Sequence, residues 1–517
     1  MTAVPAAAVA AVAAAAGRRP SRTRRTGVTD RGRVARHVHP TQDDPVVAAL
    51  SEGVGGPVGP RAARSRWWNP TAVVLLLAAL TFALGTLQKA PCAADAWADG
   101  ETRYSAMCYS DLPYLYTGRG FVEHEWPYSD DAGVRDRFEA MEYPVGISYW
   151  AWATSWATHA VVGFPDLAPR YATPAEELFG QPEVAREVVV FTAVNAFGLA
   201  LLTLAAAWFL TRANPGRPWD AAVLAASPAL ALTGLVNWDL LAVALVAAAL
   251  WSWSRGRPLL TGVLLGLGTA AKLYPGLLLG PVLVLLVRAR RWRDAGLVVA
   301  GAAGAWLLAN APAYLTGPGA WGVFWGFNAE RGADLGSVWT IVSQVGDVTF
   351  SAGTINLVSQ AFPVVWCLGV AALGLLAPSP PRLAQLGLLV VVGFLLVNKV
   401  YSPQYVLWLL PLAALARPRW RDQLVWQAGE VFYFAVIWWN LGGYLRPGAA
   451  GEGEAYDAPV YWLGIVLRML CELYLAAVVV RDVWRPHRDP VARTEPLTLP
   501  ARARGQSTST RSNDVVV

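Results

Sequence analysis

Long apolar segments recur along most of the chain and are separated by short polar or arginine-rich connections. Many have the length that a helix needs to cross about 30 Å of hydrocarbon at about 1.5 Å per residue. The pattern predicts an all-α polytopic membrane protein with about 12 transmembrane helices. The predicted spans are 70–88, 188–210, 219–236, 239–253, 258–271, 275–287, 294–314, 355–377, 382–399, 403–416, 424–444 and 460–480.

The connections between these segments predict how the chain is oriented. Arginines precede the first span at Arg61, Arg64 and Arg66 and follow the second at Arg212 and Arg217. Because arginines favour the cytoplasmic side, both termini are predicted to be cytoplasmic and residues 89–187 to form a long first extracytoplasmic loop. The apolar run 143–164 within this loop is predicted to be an interfacial helix, with its tryptophans at the lipid headgroups.

The same patterns predict three regions. Residues 1–66 are rich in alanine and arginine without apolar periodicity and are predicted to be a disordered cytoplasmic tail. Residues 67–485 are predicted to form the transmembrane domain. Residues 486–517 are predicted to be a second disordered cytoplasmic tail.

Composition supports a membrane location. Hydrophobic residues make up 55% of the chain and charged residues 15%. The net charge of +6 comes from arginine clusters between apolar segments, so it does not predict a nucleic-acid partner. The cysteines lack metal-ligand spacing. Cys92 and Cys108 share the first loop, where a disulfide is expected to contribute about 3 kcal/mol.

The candidate chemistry is concentrated at residues 108–131, a stretch dense in carboxylates and aromatic rings. Asp111 is the candidate general base for a sugar hydroxyl. The alternative is a solvated aspartate or a helix cap. Glu123, His124 and Glu125 are rivals in the same loop, and His124 between two glutamates also suits a metal, although no second ligand cluster accompanies it.

Three cations are predicted to lie on the outer face, two at the ends of apolar segments and one in a loop. Lys272 and Lys399 are placed to hold a lipid phosphate, or else to reach lipid headgroups from within the membrane. Arg331 suits phosphate because its guanidinium binds two oxygens at once, and the alternative is an ion pair with Glu330 or Asp334. Inside the later spans, Arg468 and Glu472 are predicted to be a buried structural pair that Glu430 joins.

Several motifs in order resemble a known family. They are the loop aspartate followed by Tyr114 and Tyr116, then Glu142-Tyr143-Pro144, then 262–275 (GVLLGLGTAAKLYP), then Arg331 with 337–339, and then Tyr401-Ser402-Pro403-Gln404-Tyr405. The order resembles the GT-C superfamily of polyprenyl-phosphate-sugar-dependent glycosyltransferases, in particular bacterial polyprenol-phosphate-mannose-dependent mannosyltransferases. The resemblance covers about residues 70–480.

The resemblance implies a lipid-phosphate sugar, mannose above all, as donor and a glycolipid, glycan or protein acceptor at the outer face of the bacterial plasma membrane. It implies an acidic loop residue as catalytic base, here Asp111, with Asp95, Asp99 and Glu123 as alternatives. No metal or other cofactor is implied, and membrane lipids are the surroundings. The residues that we expect to bind the donor phosphate and substrate are Arg331, Lys272, Lys399, Tyr401, Gln404, Tyr114 and Tyr143.

Two other functional classes are compatible with the sequence. A transporter or flippase of a lipid-linked or small polar substrate would use discontinuous helices near Lys272 and the charged residues within later spans. A scaffold for envelope assembly would have no activity and would tolerate the loss of Asp111.

Overall fold

The computed structural model describes residues 44–54, 69–445 and 458–492. Within these ranges the regular structure is helical and contains no β-strand. The first part holds α1 (Pro45–Val54), α2 (Pro70–Gln88), α3 (Ala90–Ala93), α4 (Thr102–Ser105), α5 (Asp111–Gly118), α6 (Ala132–Arg137), α7 (Val145–Val162) and α8 (Ala168–Tyr171), with 3-10 turns at Phe121–Glu123 and Ala175–Gly180.

The middle of the chain supplies most of the packed helices. These are α9 (Pro182–Ala213), α10 (Ala222–Ala225), α11 (Pro228–Thr233), α12 (Leu240–Ser254), α13 (Pro258–Ala271), α14 (Tyr274–Leu277), α15 (Leu279–Arg288), α16 (Trp292–Thr316), α17 (Pro318–Glu330) and α18 (Val338–Gly346), with a 3-10 turn at Pro218–Ala221.

The last part completes the bundle. It comprises α19 (Ala352–Leu376), α20 (Leu383–Val397), α21 (Val406–Ala416), α22 (Trp420–Leu441) and α23 (Ala458–Trp484), with 3-10 turns at Pro403–Tyr405 and Pro486–Arg488.

Five of the described helices, α2, α9, α16, α19 and α23, are long and apolar enough to cross a membrane. Shorter apolar helices accompany them at Leu240–Ser254, Pro258–Ala271, Tyr274–Arg288, Leu383–Val397 and Pro403–Ala416. The protein is therefore a helical membrane protein, as predicted. The number of spans and their orientation stay predictions.

The predicted span 219–236 is not a single helix. Residues 219–236 form a 3-10 turn and the short helices α10 and α11. The break has a local cause, because Pro228 has no N–H to continue a helix and the Ser227 hydroxyl instead caps Leu230 N at 3.2 Å. Ser227 also donates to Gln427 Oε1 at 2.7 Å, which holds the break against α22.

Two segments of the tails that were predicted to be disordered are ordered in the structure. Residues 45–54 form α1, and residues 486–492 pack against the bundle, where Asp489 pairs with Arg382 at 2.7 Å and Val491 is buried. A buried ion pair explains why this short polar segment is ordered. The rest of both predicted tails lies outside the described residues.

Small residues allow α13 and α16 to pack closely. A Cβ added at Gly262 would lie 2.1 Å from Val298 O, and one at Gly266 would lie 2.2 Å from Ala302 O. This spacing of small residues is typical of closely packed membrane helices. The contact fixes α13, whose last residue precedes Lys272.

The predicted interfacial segment 143–164 forms α7. Two of its tryptophans form hydrogen bonds with other residues. The Trp150 indole donates to Asn195 Oδ1 at 3.0 Å, and the Trp152 indole donates to His124 O at 3.2 Å. Trp156 is 43% exposed and is the one of the three that remains available to lipid headgroups.

Candidate active site

A cavity of about 710 Å³ lies where the loop after α2 meets the ends of the later helices. Six of the eight residues predicted to act on substrate line it, and they come from distant parts of the chain. They are Asp111, Tyr143, Lys272, Arg331, Lys399 and Gln404. The long-range packing therefore brings these six residues to one cavity, and their chemical roles stay predictions.

The start of α5 places Asp111 at the cavity. Ser110 is the N-cap, and Asp111 is the first helical residue, so the alternative of Asp111 as a cap is wrong. Asp111 N donates to Val236 O at 2.8 Å, and the Ser110 hydroxyl donates to Leu235 O at 2.7 Å. These bonds attach the beginning of α5 to the chain just after α11.

The end of α2 holds the segment that leads into α5. The expected disulfide between Cys92 and Cys108 is present. Gln88 Nε2 donates to Met107 O at 2.7 Å, and Lys89 Nζ donates to Tyr109 O at 2.9 Å. Burial lowers the pKa of Lys89 to about 7, against the opposing effect of the Asp111 carboxylate. The disulfide and these two hydrogen bonds thus fix the backbone that precedes Asp111.

The carboxylate of Asp111 is surrounded by polar groups in a buried setting. Tyr143 OH donates to Asp111 Oδ2 at 3.0 Å. Burial raises the pKa of Asp111, while Tyr109, Tyr143 and Asn237 oppose this by hydrogen bonding and Lys272 by its charge. A carboxylate with a raised pKa is a stronger base than an exposed aspartate, which suits proton abstraction.

Lys272 lies beside this carboxylate in an aromatic cage. Its ammonium is 3.4 Å from Asp239 Oδ1 and 4.9 Å from the centre of the Tyr143 ring. Asp239 is fully buried and accepts a bond from Trp408 Nε1 at 2.5 Å. The cage fixes the cation at the cavity wall without consuming all of its donors.

Arg331 and Lys399 form a second cationic pair on the wall. Arg331 is bound by Asp334, the ion pair that was the alternative interpretation of this residue. Lys399 Nζ donates to Asn328 O at 2.6 Å, at the carboxyl end of α17. The positive charges of Arg331 and Lys399 repel each other, so an anion between the two cations would relieve this repulsion.

A buried network supports the loops that carry these cations. Asp334 N donates to Lys399 O at 2.9 Å, and Tyr401 N donates to Leu335 O at 2.7 Å. Behind them Arg468 pairs with Glu472 at 3.1 Å, which confirms the predicted structural pair. Gly336 has φ +68°, and any Cβ there would lie 1.8 Å from Tyr433 OH.

Two predicted substrate contacts do not line the cavity. Tyr401 is fully buried, and its hydroxyl donates to Glu430 Oε2 at 2.9 Å, which joins Glu430 to the Arg468 network as predicted. Tyr114 stacks on Phe179 with ring centres 5.6 Å apart, and its hydroxyl donates to Trp97 O. Both hydroxyls are already bound by protein groups, so neither residue is placed to contact a substrate in the cavity.

The rival bases are less well placed than Asp111. Asp95 and Asp99 are exposed on the loop, and Glu123 is buried against Arg137 at 2.6 Å. None of the three lines the cavity. Glu142 is the second carboxylate on the wall, and it accepts from Arg119 at 2.9 Å.

His124 does not form a metal site with its two glutamate neighbours. Its ring stacks on Trp156 at 3.8 Å and faces His159 at 3.9 Å. Glu123 is held by Arg137, so the neighbouring carboxylate is turned to another partner. Burial and the nearby His159 lower the pKa of His124 to about 4.

Three residues at the site were not among the predicted site residues. Tyr109 and Asn237 line the cavity beside Asp111, and Asp239 holds Lys272. The signal for two of them was the motif Asn237-Trp238-Asp239, a polar group of residues between apolar segments. Nothing in the sequence pairs that motif with Lys272.

Part of the chain matches the sequence model of a known family. Residues 178–398, less than half of the chain, match the sequence model of a family described as "Glycosyltransferase family 87". No curated protein matches the chain. The matched stretch includes Asn237, Asp239, Lys272 and Arg331 but not Asp111. Together with the apolar helices, the match supports a membrane glycosyltransferase.

Proposed function

We propose that this membrane glycosyltransferase transfers a sugar, mannose being the first candidate, from a polyprenyl-phosphate donor to an envelope glycolipid, glycan or protein. The reaction takes place at the extracytoplasmic face of a bacterial plasma membrane. The observation that carries the proposal is the single cavity that brings Asp111 together with Lys272, Arg331 and Lys399. A base and several cations around one space suit attack by a hydroxyl on a sugar phosphate.

The donor is proposed to be a lipid because one part of the cavity wall is apolar and adjoins exposed apolar helices. Phe324 and Phe327 of α17 and Phe394 of α20 line this part. On α19, which also lines the cavity, Leu357 and Val365 are each 69% exposed. An exposed apolar helix surface is typical of contact with lipid chains, so the polyprenyl tail is proposed to lie along α19.

The proposed chemistry is a direct displacement with inversion. Asp111 takes the proton of the acceptor hydroxyl as its oxygen bonds to the anomeric carbon, and the bond from that carbon to the phosphate oxygen breaks. Polyprenyl phosphate leaves with the electron pair of that bond, so the phosphate gains one unit of negative charge. Lys272 and Arg331 stabilise this growing negative charge, and the leaving group needs no proton.

The acceptor is proposed to approach over an aromatic wall beside Asp111. The rings of Tyr109 and Trp438 are 5.1 Å apart, and Tyr104 stacks on Tyr109 at 6.3 Å. All three line the cavity. Because Asp111 must reach the acceptor hydroxyl, a glycan that stacks on these rings is brought to the base.

The donor class is tested with purified protein in detergent. Labelled polyprenyl-phosphate mannose and a labelled nucleotide sugar are each supplied with an envelope glycolipid extract. We expect label in the glycolipid from the lipid donor only. Transfer from the nucleotide sugar at an equal rate would contradict the proposal.

Arg331 is expected to act on the donor phosphate. Arg331→Ala should lower kcat/KM for the lipid donor by about 30-fold, which corresponds to about 2 kcal/mol of transition-state stabilisation. Asp334→Asn is the matched control, since it keeps the bond to Leu335 N and frees the guanidinium, and we expect its donor KM to stay equal or fall. A change below threefold for Arg331→Ala would argue against a phosphate contact.

The pH dependence should respond to Tyr143. Asp111 must be ionised to act as a base, so kcat/KM falls on the acid side as its raised pKa is crossed. Tyr143→Phe keeps the ring beside Lys272 but removes a hydrogen bond to the ionised carboxylate. The pKa of Asp111 then rises further, and the acid limb should move to higher pH by roughly half to one unit. A limb that stays in place or moves to lower pH would rule out this role.

A further inference from the structure

Arg331 and Lys399, the second cationic pair of the cavity wall, lie on two segments that backbone hydrogen bonds join. Asp334 N donates to Lys399 O at 2.9 Å, and Tyr401 N donates to Leu335 O at 2.7 Å. The two bonds run in opposite directions between the segments, so a shift of either segment moves the other. The position of one cation therefore depends on whatever holds the other.

A single buried side chain contacts both segments. Arg468 of α23 is 1% exposed, and its Nη2 donates to Gly336 O at 3.3 Å. Its guanidinium carbon lies 3.5 Å from the centre of the Tyr401 ring, a distance of direct stacking. Gly336 directly follows Leu335 in one segment, and Tyr401 belongs to the other. None of Arg468, Gly336 and Tyr401 lines the cavity, so Arg468 acts on the two segments from outside it.

Other buried groups fix the guanidinium and the ring on which it stacks. Glu472 accepts from Arg468 Nη1 at 3.1 Å. The Tyr401 hydroxyl donates to Glu430 Oε2 at 2.9 Å, and the Tyr433 hydroxyl donates to Tyr401 O at 2.6 Å. Both members of the stacked pair are therefore held in place by protein groups.

Stability alone does not explain a charged cluster at this depth. Burial of an ion pair costs desolvation free energy that the attraction of its charges often fails to recover, and apolar residues of similar volume are frequently at least as stable. A buried pair can instead specify one arrangement of the groups around it. The groups around Arg468 are the segments that carry Arg331 and Lys399.

We propose that Arg468 is a positioning residue that holds Arg331 and Lys399 at the separation at which both act on one phosphate of the donor. The inference rests on the proposed function, because it takes the anion between these two cations to be the donor phosphate. Arg468 itself contacts no substrate and acts only through the two segments.

Arg468→Lys is the test variant, since it keeps a positive charge beside Glu472. A lysine ammonium lacks the planar fork that stacks on Tyr401 while it bonds to Gly336 O and to Glu472. With polyprenyl-phosphate mannose as donor, we expect the donor KM to rise about tenfold and the acceptor KM to stay within twofold. A donor KM that stays within twofold of the wild-type value would overturn the proposal.

A double-mutant cycle separates positioning from general stability. If Arg468 places Arg331 against the phosphate, Arg331→Ala should lower kcat/KM about 30-fold in the wild-type background but less than about threefold in the Arg468→Lys background. A loss of equal size in both backgrounds would show that the two residues act independently, and the proposal would then be wrong.

The matched control is Arg382→Lys. Arg382 is also buried, pairs with Asp489 at 2.7 Å, donates to a backbone oxygen at Ala416 and does not line the cavity. We expect this variant to have a lower melting temperature, an unchanged donor KM and the full effect of Arg331→Ala. A donor KM raised as much as in Arg468→Lys would overturn the proposal, because the loss of any buried arginine would then have the same effect.

Arg468→Met/Glu472→Met provides the test if Arg468→Lys does not fold, because it leaves neither member of the pair without its counter-charge. We expect a melting temperature near that of the wild type together with the same rise in donor KM. A wild-type donor KM in this folded variant would contradict the positioning role.

Binding of polyprenyl phosphate without a sugar distinguishes failure of this inference from failure of the proposed function. If the wild type transfers sugar and Arg468→Lys binds polyprenyl phosphate as tightly as the wild type, only the positioning role is overturned. If the wild type transfers no lipid-linked sugar, the proposed function is overturned, and binding at least about tenfold weaker in Arg468→Lys would still support the positioning role. Equal binding without any transfer would overturn both.

Discussion

Asp111→Asn is expected to abolish sugar transfer while the protein still folds and inserts. The substitution keeps the size of the side chain and removes the base, which typically contributes about 10²–10⁴ to the rate. Because burial of the carboxylate raises its pKa, the ionised form is unfavourable in this setting, and a neutral amide should not lower the melting temperature. The measurement is kcat/KM for transfer from a polyprenyl-phosphate sugar, beside thermal unfolding in detergent.

Two carboxylates provide controls for this prediction. Asp99→Asn changes an exposed residue of the same loop that does not line the cavity, and it should leave transfer near the wild-type rate. Glu142→Gln changes the other carboxylate of the wall, which is paired with Arg119, and should retain most of the activity. Full transfer by Asp111→Asn, or its loss in Asp99→Asn, would show that the base has been assigned to the wrong residue.

Lys272→Met is expected to remove activity and stability together. It removes a cation whose charge acts on Asp111, and it leaves the fully buried Asp239 without its counter-charge. Breaking a buried ion pair from one side typically costs about 3–5 kcal/mol. Loss of a preorganised cation at the developing phosphate charge should lower kcat by at least about 100-fold. Thermal unfolding and donor kinetics on the same preparation measure both effects.

The double variant Lys272→Met/Asp239→Asn separates the two effects. With both charges gone, most of the lost thermal stability should return, because no unpaired charge remains buried. Transfer should remain as low as in Lys272→Met. Recovery of transfer along with stability would mean that Lys272 only holds the fold together. Asp239→Asn alone keeps the cation and should lose less activity than Lys272→Met.

The sequence predicted the helical membrane fold because long apolar segments are typical of helices that cross a membrane. It also predicted the Arg468–Glu472 pair, which lies one helical turn apart, and the disulfide between Cys92 and Cys108 within one loop. These features depend on local spacing. The break at 219–236 could have been read from Pro228 and Ser227, which mark the end and start of helices.

The site was predictable only in part because its contacts join distant segments. The polar residues that line the cavity were recognisable as costly at membrane depth. However, the hydrogen bond from Trp408 to Asp239 joins residues 169 positions apart, and no pattern in the sequence predicts it. The buried positions of Tyr401 and Tyr114 likewise depend on neighbours that are remote in sequence, such as Glu430 for Tyr401.

The most direct measurement is product formation by the wild-type protein purified in detergent, where no compartments exist between which a substrate could be transported. With labelled polyprenyl-phosphate mannose and an envelope glycolipid extract, our account predicts that label passes into a glycolipid product and polyprenyl phosphate is released. No product in detergent, combined with movement of the intact lipid-linked sugar across the bilayer of proteoliposomes, would contradict it and identify a transporter.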